Sequence, residues 1–290
     1  MSKYYYLISG LPDIALDNTK QIYSISSFRH EIEGALSGHD RDLLLPFFRK
    51  FDNQNLLAFL KLKNQPFDER ATVDADDIAE LYAALRDEEK LPESKHIPPY
   101  FPLFVKEYLA SEEKDDNPLI SWEDRLSALY YDYAIKSPNR FISEWFELSL
   151  NIGNILTAIN CRNHKLDKTE YIVGDNEVAE SLRTSNARDF GLGETLDYLP
   201  ELFRIVDEPN LMTRERKTDL LKWIWLDEQT FFKTFDIETI FAYLLRIEMI
   251  ERWTSLDKTK GEQTFRELVG AVKRESAGVL DEFKQNTKMM

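Results

Sequence analysis

The chain has 290 residues, 43% of them hydrophobic, so it is long enough to bury a substantial core in one large domain or in two to three small ones. Its formal charge of −15 disfavours binding to nucleic acid or anionic lipid, because both require a positive protein surface. The single cysteine, Cys161, excludes an intramolecular disulfide and indicates a reducing compartment.

The N-terminal residues have the least helical pattern of the chain. YYYLISGLP predicts a strand or an extended arm that ends at Gly10 and Pro12. Helical periodicity begins near Ser27. DLLLPFFRKF and NLLAFLKLK then predict two short apolar helices, with Pro46 early enough to lie in a first turn.

The middle of the chain carries clearer signals for helix starts. A polar loop is predicted at 64–77, where Asp74 or Asp76 has the position of an N-cap for the helix DDIAELYAALRDEE. Ser121 opens the sequence SWED, which has the spacing of a capping box. A further helix is predicted over 144–162.

The last part of the chain is predicted to be mainly helical after a short strand at EYIVG. Helices are expected at 176–185, 194–206, 213–229, 236–256 and 262–285. Glycine is scarce, at 10 residues, whereas all-β and phosphate-binding α/β folds use it freely in their turns. We therefore predict an all-α protein with helical subdomains at 1–97, 98–190 and 191–290.

A line of polar residues follows one side of the predicted helix 144–162. Glu147, Asn151, Asn154 and Arg162 recur at helical steps beside an apolar stripe. Asparagine is about 0.6 kcal/mol worse than alanine inside a helix, so the two amides require a reason. The more common use of such amides is to face solvent or to bond to neighbouring helices. The alternative is that they fix helix register or meet another protein.

A second polar interruption lies in the apolar sequence IFAYLLRIEMIERW. Glu248 shares a face with apolar residues, and Arg252 follows four residues later. This spacing predicts an ion pair within the helix, which contributes about 0.3–0.5 kcal/mol when it is exposed.

No catalytic or cofactor motif stands out. The chain has no phosphate-binding GxxxxGK[ST] loop and no HExxH zinc motif, and Glu93 with His96 gives one E-x-x-H pair in a proline-rich stretch. Cys161 is expected to be a packed structural residue, and Trp223 and Trp225 are expected in the core, with an interface as the alternative. We predict no cofactor, no metal site and no catalytic residue.

The segment FELSLNIGNILTAINCR resembles a helix of the C-type central-stalk proteins of V-type and archaeal-type ATPases, which are called d-type in eukaryotes. The matching positions are Asn151-Ile152 and Ile155-Leu156, with Arg162 near the end of the segment. A C-terminal stretch of that family is similar at Glu248 and at Lys260-Gly261, but this chain departs from it at 251–253. YYYLISGLPDI resembles an uncharacterised bacterial family encoded among V-type ATPase genes.

This resemblance, which extends over about 120–285, implies a funnel-like helical protein without catalytic activity. The protein would lie in the cytoplasm, peripheral to the inner membrane, between the rotor ring and the central shaft of the ATPase. The six polar residues would then fix helix register or lie at interfaces. The alternatives are a cytosolic helical adaptor with an unrelated partner, or an enzyme whose site is assembled from scattered carboxylates.

Overall fold

The computed structural model describes residues 4–16, 23–61, 66–92, 94, 96–114 and 121–256. Within these residues the fold consists of α-helices, one short 3-10 helix and no strand, which confirms the predicted all-α class. The predicted helix 262–285 and the pair Lys260-Gly261 lie outside the described residues. Among the described residues, no helix combines the length and the apolar character needed to cross a membrane.

Eleven α-helices follow one another in the described part of the chain. In chain order they are α1 (Tyr5–Ser9), α2 (Ile25–Glu33), α3 (Gly38–Leu60), α4 (Ala75–Arg86), α5 (Phe101–Lys114), α6 (Trp122–Ile135), α7 (Arg140–His164), α8 (Glu177–Thr184), α9 (Leu199–Val206), α10 (Leu211–Thr230) and α11 (Ile237–Ser255). The 3-10 helix, Lys168–Glu170, lies between α7 and α8.

Side-chain caps explain where several helices begin. Ser121 caps α6 as predicted, and of the two candidates Asp74 and Asp76 it is Asp74 that caps α4; each accepts a hydrogen bond from the backbone N–H three residues later. Asn139 and Asn210 cap α7 and α10 in the same way. These caps satisfy N–H groups that the first helical turn leaves without partners.

Helix α3 is longer than the sequence predicted. The prediction of two short helices with Pro46 in a first turn is wrong, because Ser37 caps a single helix of 23 residues that passes through Pro46. Proline removes one backbone hydrogen bond from a helix interior. Here the apolar face of α3 stays buried on both sides of Pro46, and the Tyr130 hydroxyl donates to the Pro46 carbonyl over 3.0 Å.

Two predicted extended segments are also wrong. YYLIS forms helix α1, and the Tyr4 amide N–H donates to the Phe235 carbonyl. EYIVG forms the end of the 3-10 helix and a turn. A strand needs a neighbouring strand for its hydrogen bonds, and the described residues provide none at either place.

Helix α7 occupies the middle of the packing, against α6, α8, α9 and α11. Helix α3 packs on α4 and α6, while α11 also contacts α2 and α10. The buried apolar residues join into one hydrophobic cluster that extends from Tyr4 to Ile250. The predicted subdomain boundaries at 97/98 and 190/191 stay predictions.

Candidate functional site

The two asparagines of α7 are buried, at 4% exposure for Asn151 and 3% for Asn154. The Asn154 Nδ2 donates to the Val173 carbonyl over 2.7 Å, and the Val173 N–H donates to the Asn154 Oδ1 over 2.9 Å. The amide therefore forms the pair of hydrogen bonds that a neighbouring strand would otherwise give to Val173. It holds the segment after α7 against the helix.

Asn151 bonds to the start of α8. The Asn176 Nδ2 donates to the Asn151 Oδ1 over 2.8 Å, while the Asn176 Oδ1 accepts the Ala179 N–H and caps α8. Tyr198 also lies here, and burial raises its pKa to about 12, against the opposing effect of its hydrogen bond with Asn151. Glu147 is exposed, and its charge adds to the rise in the Tyr198 pKa.

Arg162 fastens a third point of the same segment. Its Nη1 and Nη2 donate to the Arg188 and Ala187 carbonyls over 2.8 and 2.7 Å. Its guanidinium carbon lies 3.9 Å from the centre of the Phe190 ring. The polar connections around α8 are thus attached to α7 by Asn151, Asn154 and Arg162. The amides are buried and bonded, but their partners lie in these connections and not in neighbouring helices.

Glu248 and Arg252 both form ion pairs that join α11 to other helices. Glu248 pairs with Lys50 of α3, and Arg252 pairs with Asp219 of α10. The Trp253 Nε1 also donates to the Asp219 carboxylate over 2.6 Å. The predicted Glu248–Arg252 pair is wrong, because these described partners on neighbouring helices bind the two side chains instead.

A charged cluster surrounds the Lys50–Glu248 pair. Arg70 donates from Nε and Nη2 to the two carboxylate oxygens of Asp68, over 2.9 and 2.6 Å, and its Nη1 lies 3.5 Å from the Glu251 Oε2. Burial lowers the pKa of Lys50, although Glu248 opposes this shift. Burial also raises the pKa of Glu251, and Arg70 opposes that rise.

The Asp68–Arg70 pair predicts a pH dependence of stability. The hydrogen bond from Arg70 holds the pKa of Asp68 below its ordinary value of 3.8, so the charged carboxylate stabilises the fold above that pH. This stabilisation is lost as pH falls from about 4 through the lower folded-state pKa. Asp68→Asn is therefore expected to destabilise the protein at pH 7 and to have a smaller effect at pH 3, as measured by urea unfolding.

Asp132→Asn provides the control for this measurement, since Asp132 forms an exposed pair with Lys136. Exposed pairs contribute about 0–1 kcal/mol, so this variant should unfold nearly as the wild-type protein does at both pH values. An Asp68→Asn effect of the same size at pH 7 and pH 3 would contradict the assigned role.

Five aromatic residues of α1 and the α10–α11 turn are called the aromatic edge here: Tyr5, Tyr6 and Phe235, whose rings are in contact, and the separate pair Phe231 and Phe232. The Tyr5 and Phe235 rings are 4.8 Å apart, and the Phe231 and Phe232 rings are also 4.8 Å apart. Phe231 is 76% exposed and Phe232 is 90% exposed. Clustered exposed rings mark a surface suited to protein contact.

The tryptophans and the cysteine have packing roles. Trp223 is buried, and Trp225 stacks on Phe141 with 5.5 Å between ring centres, so the prediction of core packing is confirmed. Cys161 is buried as predicted, and burial raises the pKa of its thiol. In the described part of the chain, no group of three or more His, Cys, Asp or Glu side chains is arranged to hold a metal ion.

The family model described as Protein of unknown function (DUF2764) matches residues 1–276. The chain belongs to this family. No curated protein and no solved structure matches the chain. The family match spans every helix described above, from α1 to α11, and its description states no activity or partner.

Proposed function

We propose that this chain is a non-catalytic component of the central stalk of a V-type ATPase or ATP synthase. It would lie in the cytoplasm, peripheral to the inner membrane, and would join the rotor ring to the central shaft. The resemblance of 146–162 and 243–268 to the C-type central-stalk proteins suggests this role. The observation that carries a role in protein binding is the aromatic edge.

The aromatic edge favours a protein partner over a small substrate. Aromatic side chains are enriched among the residues that dominate interface energies, and here Phe231 and Phe232 are exposed between α10 and α11. The formal charge of −15 disfavours nucleic acid and anionic lipid as alternative ligands of this surface.

The ion pairs of α11 are also suited to transmitting force. Lys50–Glu248 joins α11 to α3, and Arg252–Asp219 joins it to α10, where the Trp253 Nε1 donates to the same carboxylate. Charged side chains with fixed partners can specify one packing arrangement between helices, which a torque-bearing protein would need.

The proposal is tested by purifying a tagged copy from detergent-solubilised membranes of the native host and identifying its partners by mass spectrometry. The wild-type protein is expected to bring down rotor-ring and central-shaft proteins in comparable amounts. A Phe231→Ser/Phe232→Ser double variant should recover them at least about tenfold less, because loss of interface hot spots costs about 2 kcal/mol or more.

Leu103→Ser is the matched control, since Leu103 is an exposed apolar residue on α5, outside the aromatic edge. It should recover the same partners as the wild-type protein. Recovery of a wild-type protein without ATPase components from the soluble fraction would overturn the proposal and favour an unrelated adaptor. Equal recovery by the double variant would exclude the aromatic edge as the contact.

A further inference from the structure

A cavity of about 440 Å³ is lined by residues of α2 and α3 together with Thr72 and His96. One wall is apolar, formed by Ile32, Leu36, Leu44, Leu45 and Phe48. The volume is in the range of small-molecule sites, which combine apolar walls with a few polar groups. Three arginines also line the cavity, and their charge decides which class of ligand it can bind.

Arg49 is a buried polar residue of the cavity lining, at 3% exposure. Its hydrogen bonds all leave from Nη1, to the Asp52 carboxylate over 2.9 Å and to the Thr72 hydroxyl and the His96 carbonyl over 2.7 Å each. The Nε is buried without a hydrogen-bond partner among the described residues. Buried donors are nearly always satisfied, so Arg49 has a donor that remains free to bind an acceptor.

Two further arginines line the cavity. Arg29 is half-buried, with its guanidinium carbon 4.8 Å from the centre of the Phe48 ring, and Arg41 is exposed. Arg41 forms no ion pair with any described residue. Glu33 and Asp42 also line the cavity, and both are exposed. The buried Arg49 is paired with Asp52, whereas Arg29 and Arg41 add positive charge to the lining.

We infer that this cavity binds an amphipathic anion whose carboxylate or phosphate head meets the arginines and whose apolar body lies along the α2–α3 wall. The Nε and Nη2 of a guanidinium form the edge that accepts an oxyanion in two parallel hydrogen bonds. In Arg49 the three hydrogen bonds to described residues all use Nη1. The edge formed by Nε and Nη2 makes none. The site is independent of the stalk role proposed above.

The inference is tested by isothermal titration calorimetry of the full-length protein with four probes. Octanoate and octyl phosphate carry both features, octanol lacks the charge, and inorganic phosphate lacks the apolar body. At least one of the two amphipathic anions is expected to bind at least about tenfold more tightly than octanol and inorganic phosphate, since a charged hydrogen bond contributes about 1.5–3 kcal/mol. Comparing the two anions identifies the preferred head.

Single substitutions test whether the ligand binds in this cavity. Leu45→Trp should fill the cavity and abolish binding while circular dichroism stays unchanged, and Arg41→Gln should weaken binding severalfold. Arg49→Lys should weaken binding at least about tenfold, because lysine keeps the positive charge but cannot donate two parallel hydrogen bonds to one oxyanion. Arg140→Gln, which changes an exposed residue of α7, should bind as the wild-type protein does.

Three results would overturn the inference. They are no measurable binding of either amphipathic anion to the wild-type protein, equal binding of octanol, and unchanged binding in a folded Leu45→Trp variant. The last two remain decisive even where Arg49→Lys fails to fold.

Discussion

Replacing Asp52 with alanine is expected to lower the free energy of unfolding by about 3–5 kcal/mol, the cost of breaking a buried ion pair. Asp52 is fully buried in α3 beside Arg49. Its carboxylate also accepts hydrogen bonds from the Thr72 N–H and hydroxyl over 2.6 and 2.8 Å, and from the Val73 N–H over 2.9 Å. One side chain thus holds the loop before α4 against α3.

The size of this effect follows from what the substitution leaves behind. Without Asp52, the buried Arg49 loses its counterion and two backbone N–H groups lose their acceptor. Urea unfolding followed by circular dichroism measures the change. The control is Asp42→Ala on the same helix, because Asp42 is exposed and should change stability by less than about 0.5 kcal/mol. A loss below about 1 kcal/mol for Asp52→Ala would contradict the assigned role, which requires about 3 kcal/mol.

Helices with a local signal were predictable from the sequence. Ser121 caps α6 as predicted, and the cap of α4 is Asp74, one of its two predicted candidates, since a cap depends on residues only three positions apart. The predicted 213–229 and 236–256 correspond to α10 and α11 within two residues at each end. A hydrophobic pattern with helical period that continues over many residues predicts a helix even where single residues depart from the pattern.

Segments whose form depends on distant contacts were not predictable. The sequence of α1 favours a strand, but this segment packs against the α10–α11 turn and finds no neighbouring strand among the described residues. Pro46 suggested a helix start, whereas α3 continues through it because its buried face packs on α4 and α6. Tertiary packing outweighed the local preference in both cases.

In the candidate site, too, local features were predictable from the sequence and distant contacts were not. The sequence indicated that Asn151 and Asn154 need partners, but not that those partners are Asn176 and Val173 in irregular segments after α7. Glu248 and Arg252 suggested a local pair, whereas their actual partners come from α3 and α10. A sequence pattern identifies a polar residue on an apolar face, and only the fold brings its partner to it.

Arg49 and Asp52 were missed, although a signal was present. In FFRKFDNQN they lie three residues apart among phenylalanines, so both fall on a side of α3 that is largely apolar. A charge pair at this spacing on a buried face indicates an internal ion pair. The exposed pair of phenylalanines at 231–232 was likewise present in the sequence TFFKTF, but exposure is a property of the fold.

Replacing Asn154 with leucine is expected to destabilise the protein by about 2–3 kcal/mol, because it removes two hydrogen bonds and leaves the N–H and carbonyl of Val173 without their partner. Asn160→Leu is the control, since Asn160 is exposed on the same helix and receives the same change in chemistry. Urea unfolding measures stability, and amide hydrogen exchange at Val173 should become faster in the Asn154 variant alone. Equal stability of the two variants would show that the amide does not hold this segment. A selective loss would show that α7 carries its amides to anchor the irregular chain that follows it, so that the helix and the connections around α8 behave as one unit.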